Sequence, residues 1–141
     1  MNDRFKFRFY DKENKIMVYA DTDDELLPYY PDEIYTTWQT YDLSAIEHLA
    51  NDEDYIVMQC TGLKDKNGKL IYEGDILIQK EENGGPTKKL VIWEEEGGYL
   101  GLKDLKKSFL GVVTFHLFGY TYEVIGNIHE NPELLEVSNE H

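Results

Sequence analysis

The apolar and polar positions of this chain alternate in short runs. Phe5, Phe7 and Phe9 are interleaved with Lys6 and Arg8 up to Tyr10, the period-2 signature of a half-buried strand. The phenylalanines are expected on the core side and the two cations in solvent. After the polar turn Asp11-Lys12-Glu13-Asn14, residues 15–20 read as a second strand and close a hairpin with the first. Residues 21–43 resist assignment, because Pro28 and Pro31 bracket Tyr29 and Tyr30 and argue against a helix. Ser44 to Ala50 reads as a short helix, with Ile46, Leu49 and Ala50 on one face and Glu47 at capping-box spacing from Ser44.

From residue 55 the strand pattern returns. Tyr55 to Cys60 leads into Thr61-Gly62-Leu63-Lys64-Asp65-Lys66-Asn67-Gly68-Lys69, whose centre has turn chemistry. Asp accepts local backbone hydrogen bonds, Asn tolerates a left-handed conformation, and Gly takes positive φ without a Cβ clash. Asp first and Gly fourth predict a type I turn closing through a glycine bulge. Leu70 to Tyr72 is a short strand, Glu73-Gly74-Asp75 breaks it, and Ile76 to Ile78 resumes. Residues 81–87 read as a loop, Leu90 to Trp93 as a buried strand, and Tyr99 to Leu102 as its partner after Gly97-Gly98. Residues 109–118 are apolar and β-prone, a core strand or a surface that a second subunit covers. Tyr122 to Ile128 is the last strand, and Asn131 and Pro132 sit where an N-cap and a first helical residue belong.

The fold class these elements predict is α+β. An N-terminal hairpin and a short helix occupy residues 1–54, and a strongly bent antiparallel sheet fills 55–136, able to curl into a small SH3-like barrel. The whole, 1–141, is the size of a single domain.

Charge changes the picture more than composition does. The net charge is −14, and residues 21–57 hold eleven Asp or Glu and no Lys or Arg. This segment also carries Tyr29, Tyr30, Asp32, Glu33, Tyr35 and Trp38, a mix of aromatics and acids suited to anchoring a protein with a basic surface. Direct nucleic-acid binding is disfavoured, because phosphate neutralisation needs clustered cations. No apolar run approaches the roughly 18 residues of a membrane helix, and the first residues, Met1-Asn2-Asp3-Arg4, do not read as a signal peptide. With Cys60 the only cysteine, no internal disulfide can form. A cytoplasmic location is expected.

Three groups of residues carry a family resemblance. The first is Met58-Gln59, then Thr61 to Lys69, then Ile71-Tyr72-Glu73-Gly74-Asp75-Ile76. The second is Ile125-Gly126-Asn127-Ile128 with Glu130-Asn131-Pro132-Glu133-Leu134-Leu135, and the third is Lys6-Phe7-Arg8 with Asp11 to Lys15. In this order the chain resembles the YopX family, found in phages and prophages of bacteria. Cys60 departs from it, since an aromatic is usual there, and residues 104–121 lack its usual polar character. The resemblance implies a phage or prophage origin inside a bacterial host, a strand-rich α+β fold, and no established biochemical role or catalytic residue.

Catalytic chemistry finds little support in the residues. The serines lack a nucleophile-elbow context, and the four histidines have no metal-ligand spacing with each other or with Cys60. Aligning Gly68 with the sixth position of a calcium loop puts Leu63 first and Gly74 twelfth, so both key ligands are absent. No metal site, cofactor or catalytic set is assigned. One corner remains: Tyr72, Glu73 and Asp75 flank Gly74, two carboxylates and a phenol at a strand break. Three functional readings stay open. The first is a non-enzymatic phage accessory protein binding a host or phage protein, with self-association as a further option. The second is a nucleic-acid-linked regulator or DNA mimic, and the third a small enzyme using Glu73 and Asp75.

Overall fold

The computed structural model describes residues 6–19, 53–81, 85–94, 99–105, 112–114 and 122–135. Nine strands account for most of them: β1 (Phe7–Asp11), β2 (Ile16–Tyr19), β3 (Tyr55–Lys64), β4 (Leu70–Tyr72), β5 (Asp75–Glu81), β6 (Gly85–Glu94), β7 (Tyr99–Asp104), β8 (Val112–Thr114) and β9 (Glu123–Asn127). They form two antiparallel sheets, one of them strongly curled into a half-barrel. The expected bend is therefore present, and the α+β class is corrected to a strand-rich one. Among the described residues the only helical piece is the four-residue 3₁₀ helix Pro132–Leu135. The helix expected over residues 44–50 lies outside the described residues.

The chain divides into two compact units, Met1–Cys60 and Thr61–His141. In the first, β1 lies between β2 and β3, with Phe9 opposite Val18 on one side and Val57 on the other. The hairpin loop is braced by Asp11. Its Oδ1 accepts the Glu13 and Asn14 N–H groups, both at 3.1 Å, and its Oδ2 accepts Asn14 Nδ2 at 2.8 Å. Lys15 closes the loop at φ 58°. Phe7, Phe9, Met17, Val18, Met58 and Cys60 form the buried core, with the Phe9 and Tyr55 rings edge to face at 5.6 Å.

One cation departs from the pattern. Arg8, expected in solvent, is 1% exposed. A central strand with both faces covered has no solvent side, and alternation reports only that Arg8 and the phenylalanines face opposite ways. The buried guanidinium is partnered: Nη1 donates to the Tyr19 hydroxyl at 3.2 Å, and its carbon stands 5.7 Å from the Tyr19 ring centroid, within cation–π range.

In the second unit, the end of β3 pairs with β4, and five strands run in the order β8-β7-β6-β5-β9. The core is Ile71, Leu77, Val91 and Leu102, with Leu63, Leu100, Tyr122 and Val124 packed against it. The register sets Val91 opposite Leu102. The devices that bend a sheet occur here. Gly62 and Gly74 take positive φ. Between β5 and β9 the pairing jumps from Ile76↔Gly126 to Leu77↔Val124, leaving Ile125 as an extra residue, and such a bulge increases local twist.

The C-terminal end also differs from expectation. Pro132 does open the helical piece, but the Asn131 side chain reaches back rather than forward. Its Oδ1 accepts the Asn127 N–H at 3.2 Å, while its carbonyl accepts Leu134 N–H at 3.0 Å. An i→i+3 bond tightens the turn into 3₁₀ geometry. Asn127 organises the same loop through Oδ1, which takes the N–H groups of His129 (3.0 Å) and Glu130 (2.8 Å).

Gly126 is needed for this loop to close. A Cβ there would lie 2.6 Å from Asn131 Oδ1 and 2.8 Å from Leu134 Cδ1. Gly126→Ala must displace the side chain that holds Asn127, and is expected to cost about 1–3 kcal/mol, as overpacking does. Urea unfolding of the variant beside the parent measures this, and an unchanged midpoint would refute it.

Candidate functional site

The corner Tyr72-Glu73-Gly74-Asp75 joins β4 to β5. Gly74 has φ 88° and is buried, a conformation that side chains other than glycine rarely adopt. Its N–H donates to Val91 O at 2.8 Å and its carbonyl accepts Ile128 N–H at 3.0 Å. One residue therefore ties the corner to β6 and to the loop after β9. Asp75 is 1% exposed, and its Oδ2 accepts the Tyr72 N–H at 2.8 Å. Across the ladder it faces Asn127, also buried. Tyr72 is buried as well, and Glu73 is half-buried.

So the structure brings Tyr72, Glu73 and Asp75 together at one turn, as their adjacency requires. The Asp75 carboxylate is turned inward onto backbone, an arrangement that braces a corner. The other candidates, Tyr29, Tyr30, Asp32, Glu33, Tyr35 and Trp38, lie outside the described residues. Among the described residues no group of three or more His, Cys, Asp or Glu is placed to share a metal ion, and Cys60 is buried.

A second densely bonded carboxylate belongs to Asp65. The expected turn is present: Gly68 N–H donates to Asp65 O at 3.0 Å, Asp65 N–H donates to Lys69 O at 2.8 Å, and Gly68 takes φ 82°. The Asp65 carboxylate does more than cap that turn. Oδ1 accepts Asn67 N–H at 2.8 Å and Lys69 N–H at 2.9 Å, and Oδ2 accepts Val124 N–H of β9 at 3.0 Å. Lys66 N–H meets Tyr122 O at 2.9 Å beside it, and at the surface the Lys66 ammonium and Glu123 carboxylate stand 3.5 Å apart. The local bonds follow from the Asp-x-Asn-Gly sequence. The bond to Val124, 59 residues away, carries no sequence signal.

Two opposing effects set the acidity of Asp65. Desolvation by burial is the largest and raises its pKa. The N–H groups of Val124, Lys69 and Asn67, with the Lys69 charge, together outweigh it, and the net shift is downward.

The described residues thus define a small strand-rich protein whose buried carboxylates hold turns and strand ends. The chain belongs to the YopX protein family, whose sequence profile matches residues 6–136. It is similar to the crystal structure of protein EF1440 from Enterococcus faecalis, with 27% identity and a TM-score of 0.54 over 93% of this chain and 97% of that one. The crystal structure of yopX from Bacillus subtilis, 20% identical, shares the fold at a TM-score of 0.54 over 99% of this chain and 100% of that one. No curated protein matches the chain.

The downward shift of Asp65 fixes a pH dependence. Its folded pKa lies below the unfolded value of about 3.9, so the native state binds fewer protons in that range. The resulting stabilisation is complete above the unfolded pKa and is lost as pH falls through the folded one. Asp65→Asn keeps the shape but cannot present acceptors to all three N–H groups. It is expected to cost about 2–3 kcal/mol at neutral pH and to flatten the acid limb of stability against pH. Urea unfolding from pH 7 to pH 2 tests both, and an acid limb unchanged from the parent would sink the assignment.

Proposed function

We propose that this chain is a non-enzymatic binding module, an accessory protein of phage or prophage origin. It acts in the cytoplasm of a bacterial host by capturing a protein with a basic surface. The observation that carries this reading is the charge pattern: eleven carboxylates and no Lys or Arg over residues 21–57, interleaved with Tyr29, Tyr30, Tyr35 and Trp38. Such a stretch attracts a cationic surface at long range and anchors it through its rings. The condition of the described carboxylates lends support. Asp11, Asp65 and Asp75 are buried and accept local N–H groups, so the Glu73–Asp75 corner has the chemistry of a structural turn. No membrane role is proposed: among the described residues no helix is long and apolar enough to cross a bilayer.

The test is capture from host lysate by the tagged full chain at low and moderate salt, beside a variant carrying Asp23→Asn, Asp24→Asn, Asp32→Asn and Glu33→Gln. One protein is expected in stoichiometric amount, released as salt rises and held at least tenfold more weakly by the variant. Equal capture by both chains would overturn the reading. If DNA competes for the captured protein, the module acts as a DNA mimic.

A further inference from the structure

At the tip of the β3–β4 turn stands the pair Asn67-Gly68, and an asparagine followed by glycine can react with its own backbone. The glycine nitrogen, having lost its proton, adds to the asparagine Cγ. The side-chain nitrogen leaves as ammonia, and a five-membered succinimide forms. Water then opens the ring at either carbonyl. The product is aspartate, or an isoaspartate whose backbone runs through the side chain and is one carbon longer. Glycine favours ring closure because it has no Cβ to obstruct it. Water is the only co-reactant.

Nothing shields this pair from solvent. Asn67 and Gly68 are both exposed, and a Cβ at Gly68 would meet nothing within 4 Å. The obstacle is the turn itself. Gly68 N–H donates to Asp65 O at 3.0 Å, so the attacking nitrogen is committed. Asn67 holds the third position of a type I turn, where ψ is about 0°. Ring closure needs Cβ and the Gly68 nitrogen eclipsed about the Cα–C bond, and that ψ keeps them apart. Asp65 Oδ1 fixes the conformation by accepting Asn67 N–H at 2.8 Å and Lys69 N–H at 2.9 Å. The amide that would leave is held as well, with Nδ2 donating to Glu123 Oε1 at 3.4 Å.

We infer that Asn67 is a self-modification site, kept latent by the Asp65 turn and reactive when that turn opens and leaves β9. A reaction that requires local opening is slowed by the small open fraction of the native state. Once it occurs, it does not reverse. Conversion puts a carboxylate where the Asn67 amide met Glu123. The isoaspartate route also inserts a carbon between Asp65 and the Gly68 and Lys69 N–H groups that close the turn onto it. The converted turn no longer holds the Asp65 carboxylate at Val124 N–H, the bond that joins it to β9. The inference does not depend on the proposed binding of a basic partner.

Peptide mapping by mass spectrometry tests it on the full chain, aged in mildly alkaline buffer with and without unfolding concentrations of urea. Asn67 is expected to convert at least tenfold more slowly in buffer than in urea, and equal rates overturn the proposal. Asp65→Asn is the diagnostic variant, compared with the parent at a temperature where both keep the same far-UV spectrum. It is expected to convert Asn67 at least tenfold faster in buffer, and an unchanged rate removes Asp65 as the lock. The parent itself supplies a third measurement that needs no variant. After partial ageing, the converted chain must exchange its Val124 amide hydrogen faster than the unconverted chain. Equal exchange refutes the link between this chemistry and β9.

Discussion

The second unit depends on one carboxylate bonded to backbone from two distant places. Asp65 receives Asn67 and Lys69 N–H from its own turn and Val124 N–H from β9. A buried N–H without an acceptor costs about 1–3 kcal/mol, and an ionised oxygen is a stronger acceptor than a neutral one. The turn must therefore sit at β9, because leaving it strands both the charge and a strand donor. With Lys66 N–H bonded to Tyr122 O, the hairpin does at that edge what another strand would do. A half-barrel can then end there without an open ladder.

The same solution recurs through the chain. Asp11 holds the β1–β2 loop, Asp75 the β4–β5 corner and Asn127 the loop after β9. Each is 5% exposed or less, and each accepts N–H groups two or three residues away in sequence. Short strands joined by tight corners leave many donors without ladder partners, and short acidic or amide side chains are the acceptors with the reach to satisfy them. Glycine completes the device where the backbone must pass close or turn left, at Gly74 and Gly126. Each group that carries the family resemblance contains at least one of these braces: Asp65 and Asp75 in the first, Asn127 and Asn131 in the second and Asp11 in the third. At these positions the resemblance follows the residues that close turns and strand ends.

The local reach of most of these braces explains what could be read in advance. Strand positions and turn types were legible where chemistry is local: Asp65 with Gly68 predicts its turn, and Gly74 its corner. The site corner was legible as a cluster, because its members are adjacent, but the inward direction of Asp75 was not. Arg8 was misplaced because alternation fixes which residues share a face and says nothing about what covers it. The C-terminal helix was misread because an asparagine before a proline looks like a cap from either side. Asn131 bonds backwards to Asn127, a choice settled by the close approach at Gly126. The reach of Asp65 to Val124 depends on tertiary pairing, which no local pattern encodes.

The braces also bear on how the excess negative charge is to be interpreted. An acid that accepts several backbone N–H groups has its charge answered inside the protein and contributes weakly to any outward field. Asp11 and Asp65 are of this kind, and Asp75 shares their burial and their backbone bond. Removing such acids unfolds turns, and a loss of binding that followed would say nothing about recognition. The carboxylates of residues 21–57 stand apart in sequence, gathered in one segment without a compensating cation. Electrostatic steering depends on a concentrated field of one sign. The net charge of the whole chain is thus a poor guide to its outward field, since acids such as Asp11, Asp65 and Asp75 are buried against backbone N–H groups.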